Sequence, residues 1–120
     1  MGVGDLSRAN SIRILETLAG VGPISRTDLG RVLSLAPATV NRLTGRLEED
    51  GLVIDTGELA RTGGRPSRLL DFNRVHRLIL AVDVADHHTS IALTDLGMNI
   101  LERRDFATSG GPDQRYRALL

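Results

Sequence analysis

The sequence predicts an α+β chain, with three short helices and a β-hairpin in the first half and a β-meander in the second. Three observations carry that prediction. Up to about residue 50, apolar side chains recur at three- and four-residue spacing. Beyond it they gather in short runs of Leu, Ile and Val, the pattern of strands. Glycine and proline stand where one pattern gives way to the next, at Gly20, Gly22, Pro37, Gly51, Gly63, Gly64 and Pro66.

The first helix is predicted in SRANSIRILETLAG, where Ile12, Leu15 and Leu18, with Ile14 alongside, follow helical spacing. The second is predicted in PISRTDLGRVL. Ser25 and Asp28 form a variant capping box, Ile24 and Leu29 a hydrophobic staple, and Leu29, Val32 and Leu33 are expected to face inward. The third spans APATVNRLTGRLEEDG, with Pro37 at its first position and Val40, Leu43 and Leu47 on one face. Gly51 is its expected C-terminal cap. Only Ser34, Leu35 and Ala36 separate the second helix from the third, which makes the pair a helix-turn-helix. The outward face of the third helix carries Thr39, Asn41, Arg42, Gly45 and Arg46. Short polar and guanidinium groups of that kind suit base edges and phosphates, although an ordinary solvated helix face has the same composition.

LVIDTG (52–57) and SRLLDF (67–72) are β-prone and bracket RTGGRPSR (61–68), a segment with three arginines and no acid. Two strands joined by a basic loop directly after a helix-turn-helix make a wing. Gly63 and Gly64 thin the backbone and Pro66 fixes its direction, so Arg65 projects from a narrow tip. Such a tip fits a minor groove, where A·T-rich narrowing concentrates negative potential.

Composition narrows the chemistry. The chain has 120 residues, no cysteine and formal net charge zero, so disulfides and thiolate metal sites are excluded. Aromatics make up 2%, which leaves an aliphatic core and no stacking platform for single-stranded nucleic acid. All fifteen cations are arginine, and residues 1–77 hold eleven of them against nine acids. Arginine makes every basic contact capable of a bidentate bond. No apolar run reaches membrane-spanning length and no signal peptide precedes the first helix, so a cytoplasmic protein with no membrane partner is expected.

The second half changes character. LILAVDV (78–84) reads as a strand buried on both faces, followed by strands at about 89–96 and 99–106 and the start of a helix at about 112–120. Three strands and the start of a helix do not close an α/β domain, so this half reads as the beginning of a larger unit. His87 and His88 are adjacent and point to opposite faces if extended, which disfavours a shared metal. Glu48, Glu49 and Asp50 sit at a helix end where a solvated surface is expected rather than acid–base chemistry.

Taken together, ISRTDLGRVLSLAPATVNRLTGRLEEDGLV, the wing GGRPSRLLDFN and the strand pair LAVDVADHHTSIALTDLGMNIL resemble the repressor branch of the repressor–kinase (ROK) family. The likeness covers roughly residues 8–120. It implies a winged helix at 1–74 and, at 75–120, the incomplete start of an actin- and sugar-kinase-like domain. The kinase members of that family carry a Gly-Gly-Thr turn for nucleotide phosphate. An ungapped count puts Ala85, Asp86 and His87 there, an arrangement that disfavours phosphate binding.

The function expected from the sequence is a DNA-binding transcriptional regulator, a repressor of sugar-related genes, without catalysis, cofactor or metal. In this reading the third helix enters the major groove, with Pro37, Ala38 and Thr39 at its leading end. Asn41 or Arg42 would read base edges and Arg46 would hold phosphate. Ser25, Arg26 and Thr27 would contact the phosphate backbone, and Arg61, Gly64, Arg65 and Arg68 would form the wing contact. Double-stranded DNA is the expected partner, a homodimer is open, and a sugar effector is not expected to bind this chain. The rival readings are a fragment of a ROK-type sugar kinase and a winged helix that binds protein instead of DNA.

Overall fold

The computed structural model describes residues 2–61 and 64–107, so the helix expected at 112–120 lies outside the described residues. The chain divides into two compact units, Met1–Asn73 and Arg74–Leu120.

The first unit holds α1 (Val3–Val21), β1 (Ile24–Ser25), α2 (Arg26–Leu33), α3 (Pro37–Glu49), β2 (Val53–Leu59) and β3 (Arg68–Phe72). Its sheet runs β1-β3-β2, all antiparallel. The nine-residue core comprises Ile14, Leu18, Leu29, Leu33, Val40, Leu43, Leu47, Val53 and Leu70, so every helix and both hairpin strands contribute. Two sequence expectations shift by part of a turn. Ile14 and Leu18 form the buried stripe of α1, while Ile12 is 47% exposed. Leu29 and Leu33 form that of α2, leaving Val32 62% exposed. In both helices the buried pair is spaced i, i+4, one narrow stripe along the inward face.

The ends of these helices explain the compactness. Asp5 accepts a bond from the Gly2 N–H at 3.3 Å and starts α1 earlier than periodicity alone predicts. The C-terminal carbonyl of α2, on Leu33, accepts from the Arg13 guanidinium at 3.0 Å, which places a cation at the negative end of a helix. α3 stops in a Schellman motif: Leu52 N–H donates to Leu47 C=O at 2.9 Å and Gly51 N–H to Glu48 C=O at 3.0 Å. Gly51 adopts φ +78°, the left-handed conformation that a side chain would strain. From there the chain enters β2, and Asn73 closes the unit by donating its side-chain amide to Gly51 C=O at 2.8 Å.

The two-residue strand β1 has no sequence signature of its own. It forms because Ile24 and Ser25 are extended just ahead of α2 and lie opposite Leu70 and Leu69. β2 runs further than the predicted 52–57, with a bulge on the way: Asp55 pairs Leu70, but Leu59 already pairs Arg68. Gly57, at φ +78°, absorbs the extra residues, and its N–H donates to Asp55 Oδ1 at 2.8 Å.

The second unit is an antiparallel meander of β4 (Leu78–Val84), β5 (His88–Asp95) and β6 (Ile100–Ala107). β4 is exposed along its whole length, contrary to the expectation of a strand buried on both faces. The register gives the reason. Leu80 lies opposite Leu93 and Val82 opposite Ile91, so one face is apolar. Asp83 lies opposite Ser90, and Ser90 opposite Asp105, so the other face is polar. A continuous apolar run therefore splits between two faces, and β4 stays exposed on both, while Thr89, Thr94 and Asp95 of the central strand β5 are buried. The β5–β6 turn is tightly tied. Asp95 accepts the Asn99 N–H at 2.9 Å and its side-chain amide at 3.0 Å, while Met98 takes φ +63°. The Asn99 side-chain amide, and then its N–H, hold the Asp95 carboxyl below the usual carboxylate range.

Candidate nucleic-acid interface

The geometry of the helix-turn-helix begins at Gly30. Leu35 N–H donates to Gly30 C=O at 2.9 Å, and Ser34 adopts the left-handed φ of 54° that ends α2. A Cβ on Gly30 would stand 3.0 Å from the Leu35 carbonyl oxygen, so the turn backbone closes directly over this glycine. That close approach sets how α3 leaves the turn. Val40, Leu43, Thr44 and Leu47 are then buried, and Asn41, Arg42 and Arg46 stay exposed on the far side. Pro37 and Ala38 are exposed at the leading end, and Thr39 is half-buried. Arg42 donates to the Ser7 hydroxyl on α1 at 3.3 Å, a long bond between exposed groups. Among the described residues Arg46 has no ion-pair partner.

At the start of α2 the three residues singled out from sequence part company. Ser25 is only 2% exposed. Its hydroxyl accepts the Asp28 N–H at 3.1 Å and donates to Asp28 Oδ2 at 3.0 Å, so it is the helix cap and has no free face. The Asp28 carboxylate meets the hydroxyl instead of the Ser25 backbone N–H, as a side chain one methylene shorter than Glu would. Arg26 is directed inward along α3, donating its Nε to Thr44 Oγ1 at 3.1 Å and pairing its terminal nitrogen with Glu48. Thr44 passes the chain on to the Val40 carbonyl at 2.8 Å, so a buried hydroxyl is satisfied on both sides. Arg26 therefore braces α2 against α3, and Glu48 is its counter-ion. Only Thr27 of the three is exposed.

On the hairpin, Arg61, Gly64 and Arg65 are all exposed, and Ala60 N–H donates to Ser67 C=O at 2.8 Å to close the loop base. Thr62 and Gly63 lie outside the described residues. Gly64 has φ +136°, which favours glycine at that position. Arg68 sits at the first position of β3 and pairs with Asp55 at 3.2 Å. The Gly57 N–H, followed by Arg68, holds the Asp55 carboxyl below its usual range, so the acid stays charged beside the wing.

Two grooves flank α2. One, of about 350 Å³, lies between α2 and α3 and is lined by Arg26, Thr27, Gly30, Arg31, Leu35, Pro37 and Asn41. The other, of about 250 Å³, lies between α2 and the hairpin loop, and Arg31 and Arg65 both line it. The site expected from sequence thus separates into an outward set, Thr27, Asn41, Arg42, Arg46, Arg61 and Arg65, and a bracing set, Ser25, Arg26 and Arg68. Arg31 was missed by sequence reasoning. Its place four residues after Thr27, on the same helix face, was the available signal.

Comparison with known proteins agrees with this architecture. A family model described as winged helix-turn-helix DNA-binding matches residues 8–54. The DNA-binding transcriptional dual regulator NagC of Escherichia coli is 29% identical over 84% of this chain and 25% of its own length. The xylose repressor of Bacillus spizizenii is 29% identical over 90% of this chain and 28% of its own. The solved structure of a ROK family transcriptional regulator, a homologue of the E. coli MLC protein, superposes with TM-score 0.69 and 27% identity. That match covers 95% of this chain and 29% of the other. The chain therefore spans about a quarter of the length of the curated relatives it matches. With 95% of this chain inside that one alignment, the likeness to a ROK family transcriptional regulator extends through the helix-turn-helix and hairpin into the meander.

Proposed function

We propose that this chain acts as a sequence-specific DNA-binding regulator, a repressor of sugar-related genes, with α3 in the major groove and the Arg65 hairpin in the adjoining minor groove. One observation carries the reading. Asn41, Arg42 and Arg46 stand exposed on the face of α3 opposite its core residues, while the exposed Arg65 has no ion-pair partner among the described residues. Guanidinium and amide groups held out on a rigid helix suit base edges, and a lone arginine on a thin loop suits a narrow groove. The names of relatives such as the xylose and N-acetylglucosamine repressors support the sugar connection and the repressor reading.

On this reading double-stranded DNA is the partner, and no catalytic step is assigned to the chain. A dimer would match a two-fold operator, since a single winged helix contacts too few base pairs for useful specificity. Residues 75–120 would belong to the family's actin-like domain. No helix among the described residues is long and apolar enough to cross a membrane.

Two substitutions test the division of labour. Arg42→Ala is expected to lower discrimination between a selected duplex and random DNA by about 1–3 kcal/mol. An equal loss on all sequences would make Arg42 a phosphate contact. Arg65→Ala is expected to weaken binding most on sites with an A·T-rich flank. Affinity that ignores the flank would take the hairpin out of the minor groove.

A further inference from the structure

We infer that Thr27 and Arg31 of α2 form a saddle for one DNA phosphate strand, where the groove under α3 and the groove under the hairpin loop meet. The inference rests on the proposed DNA-binding reading and names the part of α2 that takes the backbone.

Thr27 and Arg31 are the two side chains common to both grooves. One turn of helix separates them, so they present hydroxyl and guanidinium on the same face. The first groove continues to Asn41 on α3 and the second to Gly64 and Arg65 on the hairpin. A duplex touched by α3 in one groove and by the hairpin in the next has a single sugar–phosphate strand between the two contacts. That strand must cross the ridge separating the two grooves, and the ridge is Thr27 and Arg31.

The chemistry of the ridge fits such a crossing. The Arg31 side chain is 75% exposed, and its one ion pair among the described residues, to Asp28 at 2.9 Å, leaves the rest of the guanidinium fork open. An exposed pair of that kind is weak and can be exchanged for a phosphate, which arginine binds through two parallel bonds. Arg26, by contrast, is held by Thr44 and Glu48 inside the α2–α3 contact and is not available for exchange. The first helix-start arginine in the sequence is therefore a brace, and the next one is the contact.

The test measures affinity of the full chain for a duplex selected from a random pool and for an unrelated duplex, each over a range of salt. Arg31→Ala is expected to weaken both by about tenfold, with the magnitude of the logarithmic salt slope falling by about one. Arg31→Lys, which keeps the charge but loses the fork, should keep the slope and lose part of the affinity. Thr27→Val should weaken both duplexes less, without changing the slope. Melting curves should stay at the parent's position, because the Arg31 side chain lies outside the core. If Arg31→Ala leaves affinity and slope at parental values while Arg42→Ala and Arg65→Ala still weaken binding, the saddle is wrong and the DNA-binding reading stands. If the parent chain shows no salt-dependent affinity for any duplex, both are wrong.

Discussion

The two units of this chain use the same aliphatic residues to opposite effect. In the first, three helices and a hairpin surround nine side chains and remove them from water. In the second, Leu78, Leu80, Val82 and Val84 stand on one face of a sheet that forms a single layer among the described residues, and they remain exposed. Local rules are obeyed in both, with an unbroken β4–β5 register in the second unit and a capped α2 in the first. The difference lies in the second layer. A sheet face becomes a core only when another element lies over it, whereas a three-helix arrangement supplies its own cover.

The comparison can be broken most forcefully in the core. Leu43→Ala should cost about 2–5 kcal/mol, because a fully enclosed side chain leaves a cavity its neighbours cannot fill. Leu80→Ala, on the open face at 64% exposure, should cost about 0.5 kcal/mol or less. Urea unfolding followed by circular dichroism measures both, and comparable losses would mean that the sheet face is covered. A smaller effect is expected within the helix-turn-helix. Gly30→Ala should cost about 1–3 kcal/mol, since its Cβ meets the Leu35 carbonyl, whereas Gly45→Ala, which meets nothing within 4 Å, should stabilise α3 by about 0.5–1 kcal/mol. Equal shifts in melting temperature would deny that the turn is closed over Gly30.

The smallest expected effect is on acid stability, with Asp55 to report it in the first unit and Asp95 and Asp105 in the second. Asp55 and Asp95 both have pKa values lowered from 3.8. A depressed carboxylate contributes fully above its unfolded pKa and loses that contribution as pH falls through the folded value. Stability should therefore be flat at neutral pH and decline only below about pH 4. Asp55→Asn should flatten that decline as followed by the helix signal of the first unit, and an unchanged profile would show that the Gly57 and Arg68 bonds do not form.

Much of the first unit was legible because helix ends announce themselves. Ser25, Pro37 and Gly51 each occupy a terminal position whose backbone geometry suits that residue type. The inward stripes were legible to within one residue, and Ile12 and Val32 fell outside them because periodicity does not reveal how wide a contact the neighbouring helix makes. β1 was invisible, since two residues have no period. For the interface, exposure of Asn41, Arg42, Arg46 and Arg65 could be read from spacing and composition. The inward turn of Arg26 could not, because it depends on Thr44 and Glu48 eighteen and twenty-two residues away. The same limit hid Arg31, which matters only once the hairpin loop is folded beside α2. In the second unit, a run such as LILAVDV does not say whether a covering layer exists, so strand position was readable and burial was not.

The most direct test of the account is chemical footprinting of the full chain on a duplex selected from a random pool, reading the two grooves separately. Protection of guanine N7 in the major groove, together with protection of the neighbouring minor-groove edge, is predicted. Arg65→Ala should remove only the minor-groove signal and Arg42→Ala should weaken the major-groove one. Protection confined to one groove, or lost from both in either variant, would contradict the claim that α3 and the hairpin grip adjacent grooves of one duplex.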